Sequence, residues 1–363
     1  MKKVLLVSNK DNNFYNFRSE LILKLKELNY EVVLVCPYGR KIDYFTEKGC
    51  KFIDINVDRR GKNVFKDLKL IKEYKKILMQ ERPDIVLTFT TKSSIYGGYA
   101  ASKLKIPYIV NNAGLMEAKG LFKVFMNFLY KKGFKRASYI MFQNSYEQDY
   151  IEKLLKNKVP FKRIPGSGVN LDSFKYTDYP PDDQPITFNF VARIAQFKGI
   201  EEFLECAKRI KENHKNTRFV IYGDFDEDKY RILIEELSKQ GVVEYGGVQI
   251  DMKPYIANAH AVIHPSHYEG MTNVVLEHSA MGRVCIGSDI PGVADGIDDG
   301  KTGFVFSKGN VESLVMAVGH FLKLPYTEKK QMGINAREKM EKEFSREIVT
   351  NAYIKEIERI LKR

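Results

Sequence analysis

Two glutamates eight positions apart open the chemical reading of this chain. Glu269 and Glu277 lie in the run His264-Pro265-Ser266-His267-Tyr268-Glu269-Gly270-Met271-Thr272-Asn273-Val274-Val275-Leu276-Glu277. The run reads as a strand over 261–264, a turn containing a glycine, and a helix over 272–281. A helix start exposes N–H groups and a partial positive charge, so it binds phosphate. A carboxylate accepts two sugar hydroxyls well. One glutamate could hold a ribose and the other a transferred sugar. The same residues also fit a capping acid at 269 and a solvated helical acid at 277, because a short motif is only a hypothesis.

A second concentration is Val191-Ala192-Arg193-Ile194-Ala195-Gln196-Phe197-Lys198-Gly199, which closes a strand and leads into a helix. Arg193 offers a planar fork and Lys198 a point charge, a combination suited to a diphosphate. Two solvated loop cations are the competing reading.

The elements that must position these groups alternate along the chain. Strands are expected over 4–8, 31–36, 84–89, 108–110 and 137–142, with helical patterns through Leu21, Ile22, Leu25 and Leu28 and over 64–80 and 93–104. The cluster Tyr179-Pro180-Pro181-Asp182-Asp183-Gln184-Pro185 has no periodicity and reads as a linker. The pattern then restarts, with strands over 186–192, 218–222, 261–264 and 284–287 and helices over 200–213, 229–239 and 272–281. A charged helix over 345–363 ends the chain. Alternating strands and helices specify βαβ units and parallel sheets. The expected architecture is α/β, with two doubly wound domains over 1–172 and 173–344 facing across a cleft. Ligands bind at the carboxyl ends of such strands.

Glu269-x7-Glu277, followed by Ala280-Met281-Gly282-Arg283 and Asp289-Ile290-Pro291-Gly292, resembles the donor site of retaining glycosyltransferase family 4. The Arg193…Lys198-Gly199 loop matches that family's diphosphate pair. Asp299-Gly300-Lys301-Thr302-Gly303-Phe304 resembles its "dGktGflv" turn, and Pro165-Gly166-Ser167-Gly168-Val169-Asn170 its "ngvd" segment. Phe14-Tyr15-Asn16-Phe17-Arg18 and Thr91-Lys92-Ser93 look like the branch that builds bacterial capsule, O-antigen and lipid-linked glycans.

The resemblance implies the GT-B fold, with a first, acceptor-binding domain completed by the terminal helix and a second domain for a nucleotide-sugar donor, expected to carry UDP. It implies that Arg193 and Lys198 neutralise the leaving diphosphate. Glu269 would orient the sugar, and Glu277 would hold the ribose. Amides of Gly270, Met271, Thr272 and Asn273 would bind phosphate or sugar, and Gly247 and Val248 would contact the base. Asn13, Arg18, Lys92 and Asn112 are the acceptor-side candidates. No cofactor and no metal is implied, since the nucleotide sugar is a co-substrate and the cations supply the electrostatic work of a metal.

The chain departs from the family twice. Ser8-Asn9-Lys10-Asp11-Asn12-Asn13 stands where many members have Gly-Gly, so the first-domain phosphate contact is left unassigned. All six histidines lie at residue 214 or later, so Asn112, in Asn111-Asn112-Ala113-Gly114-Leu115, is the candidate for the polar role of a first-domain histidine.

Charge adds a partner. The 363 residues carry a net +13, but residues 1–172 hold 33 Lys+Arg against 17 Asp+Glu, a net +16, whereas 173–363 hold 26 against 29, a net −3. Within 119–136, Leu121, Phe122, Val124, Phe125, Met126, Phe128, Leu129 and Tyr130 are flanked by Lys119, Lys123, Lys131, Lys132, Lys135 and Arg136, and 118–146 holds no acid. This fits an ordinary packed helix or an interfacial segment resting on an anionic bilayer. The preferred expectation is peripheral attachment at the inner face of the cell membrane, with a lipid-linked glycan as acceptor. The basic balance also fits nucleic acid, but the chain has no recognised module or stacking platform. Another GT-B enzyme, such as a glycolipid glycosyltransferase, an epimerase or a phosphorylase, is a further alternative. Gly166-Ser167-Gly168-Val169-Asn170-Leu171 lacks the third glycine and the first βα turn of a dinucleotide fingerprint. His260, His264 and His267 have no Cys or acid completing a metal set. Four scattered cysteines, without a C-x-x-C pair, fit a reducing cytoplasm.

Overall fold

A computed structural model of the protein describes residues 1–58, 64–112, 114–115 and 120–362. Of the positions singled out above, Ala113, Lys119 and Arg363 lie outside the described residues. The chain divides into two compact units, one of residues 1–167 with 346–363 and the other of residues 168–345.

The first unit runs β1 (Lys3–Val7), α1 (Asp11–Glu27), β2 (Glu31–Cys36), α2 (Asp43–Thr46), β3 (Lys51–Asp54), α3 (Val64–Glu81), β4 (Ile85–Thr88), α4 (Thr91–Lys103), β5 (Tyr108–Asn112), α5 (Gly120–Phe134), β6 (Tyr139–Phe142), α6 (Ser145–Leu155) and β7 (Phe161–Arg163). The second runs β8 (Ile186–Val191), α7 (Ile200–Asn213), β9 (Thr217–Tyr222), α8 (Lys229–Lys239), β10 (Glu244–Gly247), α9 (Lys253–Ala257), β11 (Ala261–His264), α10 (Asn273–Ala280), β12 (Val284–Ser288), β13 (Gly303–Phe306), α11 (Val311–Lys323) and α12 (Tyr326–Glu343). The last helix, α13 (Arg346–Leu361), belongs to the first unit.

Among the described residues, the first sheet has seven strands in the order β3-β2-β1-β4-β5-β6-β7, and the second has six in the order β10-β9-β8-β11-β12-β13. Every assigned pair is parallel. Central strands such as β1, β4 and β11 are apolar runs buried on both faces, as helices on each side of a parallel sheet require. Each sheet is therefore Rossmann-like, with strand order reversing beside β1 and beside β8.

Three sequence expectations need correction. The division falls between Ser167 and Gly168 and not after residue 172. The 179–185 cluster is no linker between units. Tyr179 is buried in the second unit's core and its hydroxyl donates to His260 O at 2.9 Å. Arg283 clamps the same strap from beneath. Its guanidinium is fully buried and donates to Thr177 O, Asp178 O, Ile256 O and Ala257 O. Tyr179 and Pro180 are buried, so the segment read as a break is held against the unit's core by these hydrogen bonds. Finally, β5 continues through Asn111 and Asn112, both buried, where the strand was expected over 108–110.

Candidate functional site: a carboxylate between two strand ends

Strands β8 and β11 are neighbours, so the loops that leave their carboxyl ends meet at the point where strand order reverses. Open parallel sheets bind ligands at such points. The loop after β8 carries Arg193 and Lys198; the loop after β11 carries Glu269. Gly199 lets the loops touch: its φ is +76°, and a Cβ there would lie 2.0 Å from Pro265 O. Gly292 closes the other side, with φ of +83° and Gly270 O 2.1 Å from where its Cβ would be. Only glycine fits either position.

Two groups converge on Glu269. Lys198 Nζ donates to its Oε1 at 2.6 Å. His264 Nε2 lies 3.0 Å from the same oxygen and 3.1 Å from Thr272 Oγ1. An ionised carboxylate only accepts, so Nε2 carries the imidazole proton. Burial by itself would raise the Glu269 carboxyl, but the hydrogen bonds and charges of His264 and Lys198 outweigh it and hold the group down at about 2. Glu269 is therefore a fixed carboxylate, not a helix cap; the residue at the N-cap of α10 is Thr272.

Arg193 is separate from this cluster. It is exposed and pairs with Asp226 at 2.7 Å. Its guanidinium lies 5.2 Å from the centre of the Phe197 ring, and Lys198 Nζ lies 5.4 Å from that centre, so one aromatic ring links the two cations.

Gly270, Met271 and Asn273 lead into α10, whose geometry gives the first-turn amides no acceptor within the helix. The Thr272 amide corrects the sequence reading. It donates to Gly292 O at 2.9 Å, so it is spent on the turn, and Thr272 enters the site through its hydroxyl. Glu277 sits half-buried on α10. Gly247 ends β10 at the sheet edge with φ of +72°, and Val248 beyond it is 63% exposed. Sequence reasoning set His264 aside as a metal ligand and read it as packed or solvent-facing, with a place lining the cleft as the alternative. The signal that could have found it is its five-residue spacing from Glu269 across a strand exit.

Residues 175–339 match the family model described as glycosyl transferases group 1, and residues 3–144 match the model described as glycosyl transferase 4-like. The chain belongs to glycosyltransferase family 4. The glycosyltransferase is 26% identical to the N,N'-diacetylbacillosaminyl-diphospho-undecaprenol alpha-1,3-N-acetylgalactosaminyltransferase of Campylobacter jejuni, over 99% of each chain. It is 25% identical to the capsular polysaccharide biosynthesis glycosyltransferase CapM of Staphylococcus aureus, over 92% of this chain and 93% of that one. A crystal structure of a glycosyltransferase from Rickettsia africae superposes with a TM-score of 0.81 at 19% identity, covering 100% of this chain and 99% of that one, a likeness of fold.

In the first unit of the glycosyltransferase, the four acceptor-side candidates meet different partners. Asn13 donates to Ser8 Oγ at 3.1 Å and to Asn9 Oδ1 at 3.0 Å, so the loop that replaces Gly-Gly closes on itself. Arg18 is 5% exposed and lies over the rings of Phe89 and Tyr353. Its guanidinium is thus packed inside the unit where an outward contact was expected. Lys92 pairs with Asp67 at 2.9 Å, and Tyr96 donates to the same carboxylate. Asn112 donates to Glu147 Oε2 at 2.9 Å, in the interior.

Glu147 is fully buried, and this desolvation pushes its carboxyl up to about 8 despite hydrogen bonds from Asn112 and Asn144. The acid is thus held neutral at pH 7. A folded-state value raised above the unfolded one stabilises fully below the unfolded value, 4.5, and that contribution is lost as pH rises through about 8. Glu147→Gln keeps the shape without the ionisation. Its melting temperature, measured by scanning calorimetry from pH 5 to 9, exceeds that of the parent by more at pH 9 than at pH 5. A difference independent of pH would show that Glu147 does not ionise in this range.

Proposed function

We propose that this glycosyltransferase moves a sugar, with retention of configuration, from a nucleotide sugar to a glycan carried on a polyprenyl diphosphate in bacterial surface-polysaccharide synthesis. The observation that carries the reading is the convergence of Lys198 and His264 on the Glu269 carboxylate at the switch point of the second sheet, with the Thr272 hydroxyl beside His264. The acceptor class is supported by the Campylobacter relative, whose name specifies a diphospho-undecaprenol-linked sugar and an alpha-1,3 transfer, and by the capsular role in the name of the Staphylococcus relative.

In the proposed reaction Lys198 and Arg193 neutralise the diphosphate as its bond to the anomeric carbon breaks. Glu269 orients the sugar, Glu277 holds the ribose, and Gly247 and Val248 take the base. Amides of Gly270, Met271 and Asn273 bind phosphate or sugar. The acceptor hydroxyl attacks on the face from which the diphosphate departs, and its proton passes to the leaving phosphate oxygen. The two cations and the helix start supply the charge stabilisation, so the scheme uses no metal.

A thermal-shift screen against UDP-, GDP-, ADP- and CDP-linked sugars tests the donor. A bound ligand at about 100 times its Kd stabilises by about 2.7 kcal/mol, so the donor raises Tm clearly. UDP-sugars are expected to do so. A panel without any shift would overturn the donor assignment.

For the acceptor side, the reading adds an anionic membrane surface at the inner face of the cell membrane and no nucleic acid. Helix α5 buries Met126, Tyr130 and Phe134 but leaves Leu121 at 89%, Val124 at 66% and Phe128 at 53% exposure, beside exposed Lys123, Lys131, Lys132 and Lys135. Among the described residues no helix is long and apolar enough to cross a membrane. An apolar ridge with basic flanks suits interfacial binding, each cation adding about 1 kcal/mol near anionic lipid. The protein is expected to pellet with phosphatidylglycerol vesicles at low salt and not with phosphatidylcholine vesicles. Equal recovery in both supernatants would reject the membrane role.

A further inference from the structure

We infer that Glu202 and His267 form a positioning pair that presets the cationic loop 193–199 for a nucleoside diphosphate, an inference that rests on the nucleotide-sugar reading and adds two residues to it. The two loops of the site must keep a fixed register for Lys198 to meet a diphosphate at one place. Backbone contact supplies part of that register. His267 N–H donates to Phe197 O at 2.9 Å, and Gly199 abuts Pro265 O too closely for any side chain.

The side-chain part is the pair itself. Glu202, in the first turn of α7 directly after loop 193–199, accepts from His267 Nε2 at 2.6 Å, and His267 lies on the loop that carries Glu269. Glu202 is 8% exposed, and its second oxygen, Oε2, is buried without a hydrogen-bond partner. A buried carboxylate oxygen left unbonded is a cost that helix formation does not explain. The favourable interaction of an acid with a helix start is already available from Glu201, the neighbouring acid in the same turn. What the buried Glu202 holds is His267, and through it the Glu269 loop. The Lys198–Glu269 contact and the Glu202–His267 contact thus both tie the same two loops together.

The test is isothermal calorimetry of the full chain with UDP, GDP, ADP and CDP, each beside its monophosphate. His267→Leu is expected to weaken binding of the nucleoside diphosphate about tenfold, the loss of one hydrogen bond to a charged group. The matching monophosphate should weaken less than twofold, and the fold should persist at a lower Tm, because Glu202 is left buried without its partner. Glu202→Leu should repeat the pattern and carries the test if His267→Leu does not fold. His267→Gln, whose amide can donate to Glu202, should restore diphosphate binding to within threefold. Parental affinity in His267→Leu, equal losses for mono- and diphosphate, or failure of the Gln rescue would each overturn the inference. A parent chain that binds none of the panel would overturn the donor reading, and this inference with it.

Discussion

Lys198→Ala is expected to reduce kcat about a thousandfold while the fold persists. The ammonium sits 2.6 Å from Glu269 at the strand end where the proposed diphosphate leaves. Removing one preorganised electrostatic group from such a place costs about 100- to 1000-fold in rate, up to about 4 kcal/mol of barrier. The substitution also removes one of the two partners that hold Glu269 at about 2. A depressed carboxyl stabilises the fold above its ordinary value of 4.5, and this contribution is lost as pH falls from there through about 2. Acid unfolding of Lys198→Ala should therefore begin at a higher pH than in the parent. Steady-state kinetics with the donor found in the thermal-shift screen, together with acid titration by circular dichroism, check both parts. Parental kcat would remove Lys198 from the proposed chemistry.

Glu269→Ala should also lower kcat, by about a hundredfold or more and by a different route. Its carboxylate is the shared partner of Lys198 and His264. Its removal frees the ammonium and the imidazole of their common counter-charge. A diphosphate then meets a less neutralised Lys198, so nucleotide binding should hold or strengthen. Orientation of the transferred sugar is lost, and misplacement of a reacting group by about 1 Å costs about a hundredfold or more. The expected signature is a collapse of kcat with an unchanged or lower Kd for the nucleoside diphosphate. A loss of binding equal to the loss of rate would instead make Glu269 a group that builds the pocket. Full activity would refute the role.

The helices over 200–213 and 229–239 and the strands over 31–36 and 261–264 were legible residue by residue, because strong apolar periodicity sits between clear breaks. Strands β3, β7 and β13 were not marked. Each is three or four residues long and lies at a sheet edge, too short for apolar alternation to register. The site was half legible. Arg193, Lys198, Glu269 and Glu277 stood out by type, spacing and resemblance. The two histidines did not: His264 ends a buried strand, where a histidine usually packs, and His267 meets Glu202 from 65 positions away.

The acceptor-side candidates show the limit most clearly. Arg18, Lys92 and Asn112 were chosen as polar groups in suggestive segments, yet one lies among aromatic rings, one pairs with Asp67 and one faces buried Glu147. Burial is a property of the folded environment, and a local segment does not encode it.

By itself, then, the amino-acid sequence determined that this protein is a two-unit α/β glycosyltransferase, and it named the cations and carboxylates of the loops proposed to bind the donor. Periodicity, breakers and motif spacing act over a few residues and survive in the linear chain. Only the tertiary structure decided who meets whom. The neighbouring of β8 and β11 brings Lys198 to Glu269 across 71 positions. It also assigns the Thr272 amide to a turn and its hydroxyl to His264. Those pairings depend on strand order and on glycine-sized gaps between loops, long-range quantities that no window of sequence contains.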